Sequence, residues 1–170
     1  MNTGQMLISI AAMILLSIVI INVNRNSLTN SKNIDETKFE ILAVSLGNAI
    51  IQEAFSKSFD EQTANNNLVN DEDELTLSLG HESGELNRKD FDDFDDYNNY
   101  TENTKSDSTI ISADFTIKCN VYYVDPSVSL DSVSNRTYHK RIEVLVTSPF
   151  LNEGQDTIRL SKINSHFYFR

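Results

Sequence analysis

Two hydrophobic patterns follow one another in the N-terminal third of the chain. Residues 6–21 form a nearly unbroken apolar run, interrupted by Ser9 and Ser17, and no charged residue occurs from Gln5 to Val23. At about 1.5 Å per helical residue, this run matches the ~30 Å hydrocarbon core of a bilayer. The pattern predicts a helix over residues 5–24 that can cross a membrane once.

The second pattern covers residues 25–60 and is amphipathic. Apolar residues recur every three or four positions, which is typical of a helix with one buried face. The recurring positions are Phe39, Leu42, Leu46, Ile50 and Ala54. No proline precedes Pro126, so one helix from Gln5 to about Ser58 is expected. Its core positions are predicted to be Leu42, Leu46, Ile50 and Phe55, with Gly47 allowing close approach to a sheet.

The C-terminal part, residues 108–170, has the alternation of β-strands. Apolar side chains occupy every second position from Ala113 to Tyr123, and a similar pattern runs from Tyr138 to Val146. A third strand is predicted at 157–160 and an edge strand at 167–169. Consecutive strands with short connections indicate an antiparallel meander, which one helix can cover. The predicted fold class is therefore α+β, with a long N-terminal α-helix packed on a C-terminal antiparallel sheet.

Between these parts, residues 61–107 are predicted to form an acidic loop region with one short strand at 75–79. Residues 71–107 carry 13 acidic and 3 basic side chains and dominate the net charge of −11. The most distinctive tract is FDDFDDYNNY, residues 91–100, preceded by Asp90. Its five aspartates are Asp90, Asp92, Asp93, Asp95 and Asp96. Carboxylates at this spacing suit Ca²⁺, although the EF-hand pattern is absent. The alternative is a solvated loop held to the core by Phe91, Phe94 and Tyr97, with aspartates capping turns.

Composition narrows the classes of function. The acidic balance disfavours nucleic acid as a partner, because phosphates require lysine and arginine. Cys119 is the single cysteine and falls on the inward face of a predicted strand, so it is expected to pack in the core. The three histidines lack metal-binding spacing, and no nucleophile or phosphate-loop motif occurs. We therefore expect no catalytic residues and no enzyme activity, with Ca²⁺ as the one possible cofactor.

The N-terminal residues also resemble a known family. Met1-Asn2-Thr3-Gly4, followed by an apolar segment that leads into an amphipathic helix, is similar to the type IV prepilin class, which includes minor pilins and secretion pseudopilins. The tract FDDFDDY resembles the FDDVDDY segment of minor pilins of the mannose-sensitive haemagglutinin type. In that family a peptidase cuts after the glycine, which maps onto Gly4, leaving Gln5 as the new N-terminus. The family usually has glutamate five residues after the cut, where this chain has Ser9.

The resemblance implies a structural subunit of a type IV pilus-like or pseudopilus filament. Its partners would be lipid, other pilin-like subunits or further copies of itself, the prepilin peptidase and membrane assembly machinery. The implied location is a single-pass inner-membrane protein with an extracytoplasmic head, then a periplasmic or cell-surface filament. Arg25 and Lys32 follow the apolar segment, which taken alone indicates the opposite orientation. Small and apolar residues expected to pack the helix bundle are Ala11, Ala12, Leu16 and Ser17.

Two other interpretations remain open. One is an ordinary uncleaved signal anchor in place of a processed leader. The other is a monomeric, membrane-tethered extracytoplasmic binding domain whose acidic loop captures Ca²⁺ or a basic partner.

Overall fold

The structure is a computed structural model that describes residues 2–65, 67–106 and 114–166. Helix α1 spans Thr3–Phe55, which confirms the prediction of one uninterrupted helix across the apolar and amphipathic patterns. Helix α2 is a single turn, Glu61–Ala64. The chain divides into two compact units, one ending at Lys38 and one beginning at Phe39. We call the second unit the head.

The first unit consists of the N-terminal part of α1. Every large apolar side chain from Met6 to Val23 is half exposed or more. This segment is long and apolar enough to cross a membrane, which makes it a candidate membrane span by length and composition. Core helices of soluble proteins can be equally long and apolar, but their apolar side chains are mostly buried, whereas those of this segment are not.

The head contains an antiparallel sheet of five strands. The strands are β1 (Thr101–Asn103), β2 (Thr116–Asp125), β3 (Ser129–Ser132), β4 (His139–Thr147) and β5 (Thr157–Ser165). Their order in the sheet is β1-β2-β4-β5, and β3 pairs with the end of β2. The long strands β2, β4 and β5 form the predicted meander, so the α+β fold is confirmed. Residues 167–169 lie outside the described residues.

The core lies between the sheet and the C-terminal part of α1. The inward positions of β2 are buried from Ile117 to Tyr123, as is Phe115 just before the strand. Ile142, Val144 and Val146 of β4 are buried as well, as the alternation predicts. Cys119 is buried there, and burial raises the pKa of its thiol to about 12. The thiol is therefore protonated at neutral pH and packs as an apolar group.

Helix α1 meets the sheet through a narrower stripe than the sequence pattern suggests. The buried helix residues are Ala43, Gly47, Ile50, Ile51 and Ala54. Leu42 is exposed, so its prediction as a core residue is wrong, and Leu46 and Phe55 are only partly buried. The reason is that small residues occupy most of the buried stripe, and they let the helix axis approach the strands closely.

Gly47 marks the point of closest approach. A Cβ added at this position would lie 2.5 Å from Leu160 Cδ1 of β5 and 3.4 Å from Val146 Cγ2 of β4. We expect Gly47→Ile to lower the free energy of unfolding of the head by about 1–3 kcal/mol through overpacking. Urea denaturation of the full chain in detergent, followed by circular dichroism, measures the change. The double variant with Leu160→Ala should recover part of the loss, and a Gly47→Ile variant as stable as wild type would contradict the packing.

The predicted strand at 75–79 is absent. The chain forms a 3-10 helix at Glu72–Glu74 and then continues without strand pairing through Leu79. The physical reason lies in Asp60, whose carboxylate accepts the backbone N–H of Thr76 at 3.1 Å and its Oγ1 hydroxyl at 2.9 Å. This part of the chain is therefore held by a side chain, and not by a neighbouring strand. Leu75 is buried, whereas Leu77 is exposed.

Candidate functional site

The acidic tract 91–100 lies against the end of α1. Ser58 and Asp93 form a short parallel bridge, in which Ser58 N–H donates to Asp92 O at 3.1 Å and Phe94 N–H donates to Ser58 O at 2.9 Å. Phe94 packs edge-on against Phe55, with 5.4 Å between ring centroids. The tract is thus attached to the helix by both backbone and side chains.

The aromatic residues of the tract are buried, as the loop interpretation predicts. Phe91, Phe94 and Tyr97 are at most 3% exposed. The expectation of a solvated loop is nevertheless wrong for its carboxylates, since Asp93, Asp95 and Asp96 are each 1% exposed. Burying carboxylates costs several kcal/mol each unless partners compensate, so their contacts decide what the tract does.

The side chains of Asp93 and Asp96 accept hydrogen bonds from backbone N–H groups of the same tract. Asp93 Oδ1 accepts the backbone N–H groups of Asp95 at 2.7 Å and Asp96 at 3.1 Å. Asp96 Oδ2 accepts the N–H groups of Asp92 at 2.9 Å and Asp93 at 3.0 Å. These reciprocal bonds close the turn that opens the 3-10 helix Asp95–Tyr97, which agrees with the predicted capping role.

A buried lysine neutralises the cluster. Lys140 of β4 is fully buried, and its Nζ donates to Asp60 Oδ2 at 2.7 Å, to Asp95 Oδ1 and to Phe59 O at 3.0 Å. Its ammonium also lies 4.8 Å from the centroid of the Phe59 ring and 5.4 Å from that of Tyr123. One cation therefore joins β4, the segment between α1 and α2, and the acidic tract.

Asp60 is the most fully bonded of these carboxylates. Besides Lys140 and Thr76, it accepts the N–H of Gln62 at 3.2 Å and thereby caps α2. Burial raises the pKa of Asp60, but the Lys140 ammonium and these hydrogen bonds outweigh burial and bring the pKa below its usual value. Asp60 is therefore the ionised partner of Lys140.

The carboxyl groups of Asp93 and Asp95 have fewer stabilising partners than that of Asp60. Burial first, and then the charges of Asp95 and Asp96, raise the pKa of Asp93 to about 9. Burial raises the pKa of Asp95 to about 6, although Lys140 opposes the shift. The Oδ2 atoms of both residues are buried without a hydrogen-bond donor. Because the two carboxyl groups interact directly, we expect Asp93 to carry a proton at neutral pH and to donate it to Asp95, which removes one of the buried negative charges.

A second group of carboxylates lies on the other side of Asp96. Glu82, Glu85 and Asp96 each place one carboxylate oxygen within 4.8 Å of those of the other two. In the described part of the chain, this is the one set of acidic, histidine or cysteine side chains close enough to share a metal ion. Asp96 is the member that the sequence pattern had included. Glu82 and Glu85 were missed, although the turn residues Ser83-Gly84 between them were a usable signal.

The remaining predicted ligands are placed elsewhere. Asp90 and Asp92 are exposed, Asp93 caps the turn, and Asp95 pairs with Lys140. Together with Asp96, which lies beside Glu82 and Glu85, the five aspartates therefore occupy four environments. Metal binding by the whole set stays a prediction.

The predicted positions in α1 are all exposed. Gly4 and Gln5 lie in its first turn, and the bundle-packing residues lie further along the apolar segment: Ala11, Ala12, Leu16 and Ser17. Ser17 Oγ donates to Met13 O at 2.9 Å, which satisfies its hydroxyl within the helix. Cleavage after Gly4 and bundle packing stay predictions.

Lys140 and Asp60 are two further site residues that sequence reasoning missed. Lys140 has the same parity along β4 as Ile142, Val144 and Val146, so its inward direction was readable from the pattern. A lysine at an inward position requires a buried carboxylate. Its partners Asp60 and Asp95 are 80 and 45 residues away in sequence, which no local pattern specifies.

Comparisons with known proteins add no relatives: no protein-family model, curated protein or solved structure gave a significant match to this chain.

Proposed function

We propose that this chain is a structural subunit of a type IV pilus-like or pseudopilus filament that is anchored in a membrane before assembly. The observation that carries the proposal is that the two parts of one continuous helix, Thr3–Phe55, have different surroundings. Its N-terminal part exposes large apolar side chains, whereas its C-terminal part forms the core of a folded head. The resemblance of the N-terminal segment and of the FDDFDDY tract to prepilins supports the same proposal.

The exposed apolar segment would pack in two environments in turn. In the membrane its side chains contact lipid, and in a filament they contact the same segments of neighbouring subunits. Because lipid and a helical bundle are similarly apolar, the transfer gains little from hydrophobicity alone, and close packing must supply the specificity. Ala11, Ala12 and Ser17 are small enough to let neighbouring helices approach. Gly4 and Gln5 remain the proposed cleavage site.

The head would have a structural role. Several of its buried charged groups are paired with one another or with backbone groups, as in the Lys140 cluster, which joins the acidic tract to β4. Such a cluster fixes the shape of the outer surface that a subunit presents. The proposal therefore assigns the acidic tract to shaping the head and not to a reaction.

A charge in the apolar segment tests the proposal. We expect Ala12→Asp to abolish filament formation, because a buried, unpaired carboxylate costs several kcal/mol in a helical core. Negative-stain microscopy of the purified chain measures filaments, and thermal melting followed by circular dichroism measures the head, which should be unchanged. Asn30→Asp adds the same charge to the same helix beyond the apolar run and should assemble normally. Normal filaments from Ala12→Asp, or no filaments from wild type, would refute the packing role.

A further inference from the structure

The loop before the acidic tract contains a tight turn that brings two glutamates together. Glu85 N–H donates to Glu82 O at 3.2 Å, and Gly84 N–H donates to the same oxygen at 2.8 Å. Glu85 Oε2 in turn accepts the N–H of Glu82 at 3.3 Å. The turn therefore holds the two side chains on one side of the loop, with Ser83 and Gly84 exposed.

Asp96 completes the group from the buried side. Its Oδ2 is used by two backbone N–H groups, but its Oδ1 is buried without any hydrogen-bond donor. Glu82 Oε2 is likewise buried without a donor. A native structure rarely leaves such oxygens unpaired, so each one requires a partner. Two unpaired oxygens in one group of three carboxylates point to a ligand that carries positive charge.

The residues that the structure describes supply no such charge. None of the ion pairs found among the described residues involves Glu82, Glu85 or Asp96, and Lys140 is already shared by Asp60 and Asp95. Glu61 adds a further negative charge near Glu82. The group is thus strained by repulsion unless a cation or bound protons offset it.

We propose that Glu82, Glu85 and Asp96 form a Ca²⁺ site. All three donors are hard carboxylate oxygens, which favour Ca²⁺, Mg²⁺ or Mn²⁺ over softer metals. Two oxygens on opposite sides of a Ca²⁺ ion lie roughly 4.8 Å apart, because each Ca–O distance is about 2.4 Å. The observed spacing of at most 4.8 Å fits that limit with small adjustments. Ca²⁺ also tolerates irregular geometry and bidentate carboxylates better than Mg²⁺, and water can reach the partly exposed glutamates.

The bound ion would connect two segments of the head. It would join the Glu82–Glu85 turn to Asp96, whose other oxygen holds the backbone of Asp92 and Asp93. Ca²⁺ would thereby order the loop that precedes the acidic tract. This inference is independent of filament assembly, so either proposal can fail without the other.

Calcium binding by the full chain in detergent tests the site. We expect chelator-treated wild type to bind one Ca²⁺ by isothermal titration calorimetry, at least tenfold more tightly than Mg²⁺, and to melt at a higher temperature with Ca²⁺. Glu82→Gln and Glu85→Gln should each weaken Ca²⁺ binding at least tenfold. In chelator these variants should melt at or above the wild-type temperature, because each removes one repelling charge.

Asp92→Asn is the matched control, since Asp92 is an exposed carboxylate of the same loop region outside the group. This variant should bind Ca²⁺ like wild type. The proposal is overturned if wild type takes up no Ca²⁺ at millimolar concentration, which would leave protons as the partners of the three carboxylates. It is also overturned if the glutamine variants bind normally while Asp92→Asn does not.

Discussion

Lys140→Met should lower the free energy of unfolding of the head by about 3–5 kcal/mol, the usual cost of removing one partner from a buried ion pair. Methionine nearly preserves the length of the side chain, so lost packing contributes little. What is lost is the cation that lies between Asp60 and Asp95, together with its hydrogen bond to Phe59 O. Two buried carboxylates are then left without a counter-charge. Urea denaturation of the full chain in detergent, followed by circular dichroism, measures the difference.

Lys118→Met provides the matched control. Lys118 lies on the neighbouring strand β2 but is exposed, and such a substitution usually changes stability by no more than about 0.5 kcal/mol. Adding Asp95→Asn to Lys140→Met should recover part of the loss, because it removes one of the unpaired charges. A Lys140→Met variant as stable as wild type would show that the ion pairs contribute nothing to holding the tract on the head.

The elements that the sequence predicted well are those set by local periodicity. In β2 every second residue is apolar, and burial of that face needs no knowledge of distant partners. The buried face of α1 was predicted correctly at Ile50, but Leu42 is exposed and its neighbour Ala43 is buried. A periodicity argument relies on large apolar residues. The closest contact with the sheet is made at Gly47, which has no side chain and so does not contribute to such a pattern.

The wrong predictions have one physical cause in common: the decisive hydrogen bonds and ion pairs join residues that are far apart in sequence. The apolar alternation at 75–79 resembles a strand, but the carboxylate of Asp60 binds the N–H of Thr76 and leaves no strand partner. In the acidic tract, the burial of the aromatic residues could be predicted from their residue type alone. The burial of Asp95 depends on Lys140, and neither residue predicts the other without the fold. The candidate site was therefore predictable in its location and not in its electrostatics.

The stability of the head should fall as the pH rises from about 5 to 9, and Asp93 should dominate the upper part of that range. In the folded head its pKa is raised to about 9, from an ordinary value of 3.8. Between these values the folded state holds a proton that the unfolded state has released. The stabilisation is therefore complete below pH 3.8 and is lost as the pH rises toward 9. Asp95, with a pKa of about 6, acts in the same direction at lower pH, whereas Asp60, whose pKa is lowered, acts in the opposite direction at acidic pH.

Asp93→Asn isolates this contribution. Asparagine keeps the Oδ1 acceptor for the N–H groups of Asp95 and Asp96, and its amide donates where the shared proton would. Urea denaturation in chelator should show wild type losing about 1 kcal/mol per pH unit between pH 7 and 8.5, near the limit for one proton. Asp93→Asn should lose much less over that range, with a residual loss near pH 7 from Glu82, whose pKa is raised to about 7, and should be more stable than wild type at its upper end. Asp92→Asn, at an exposed neighbour, should keep the wild-type slope. An equal slope in all three proteins would mean that Asp93 is ionised in the folded head, in which case the proton shared with Asp95 does not exist.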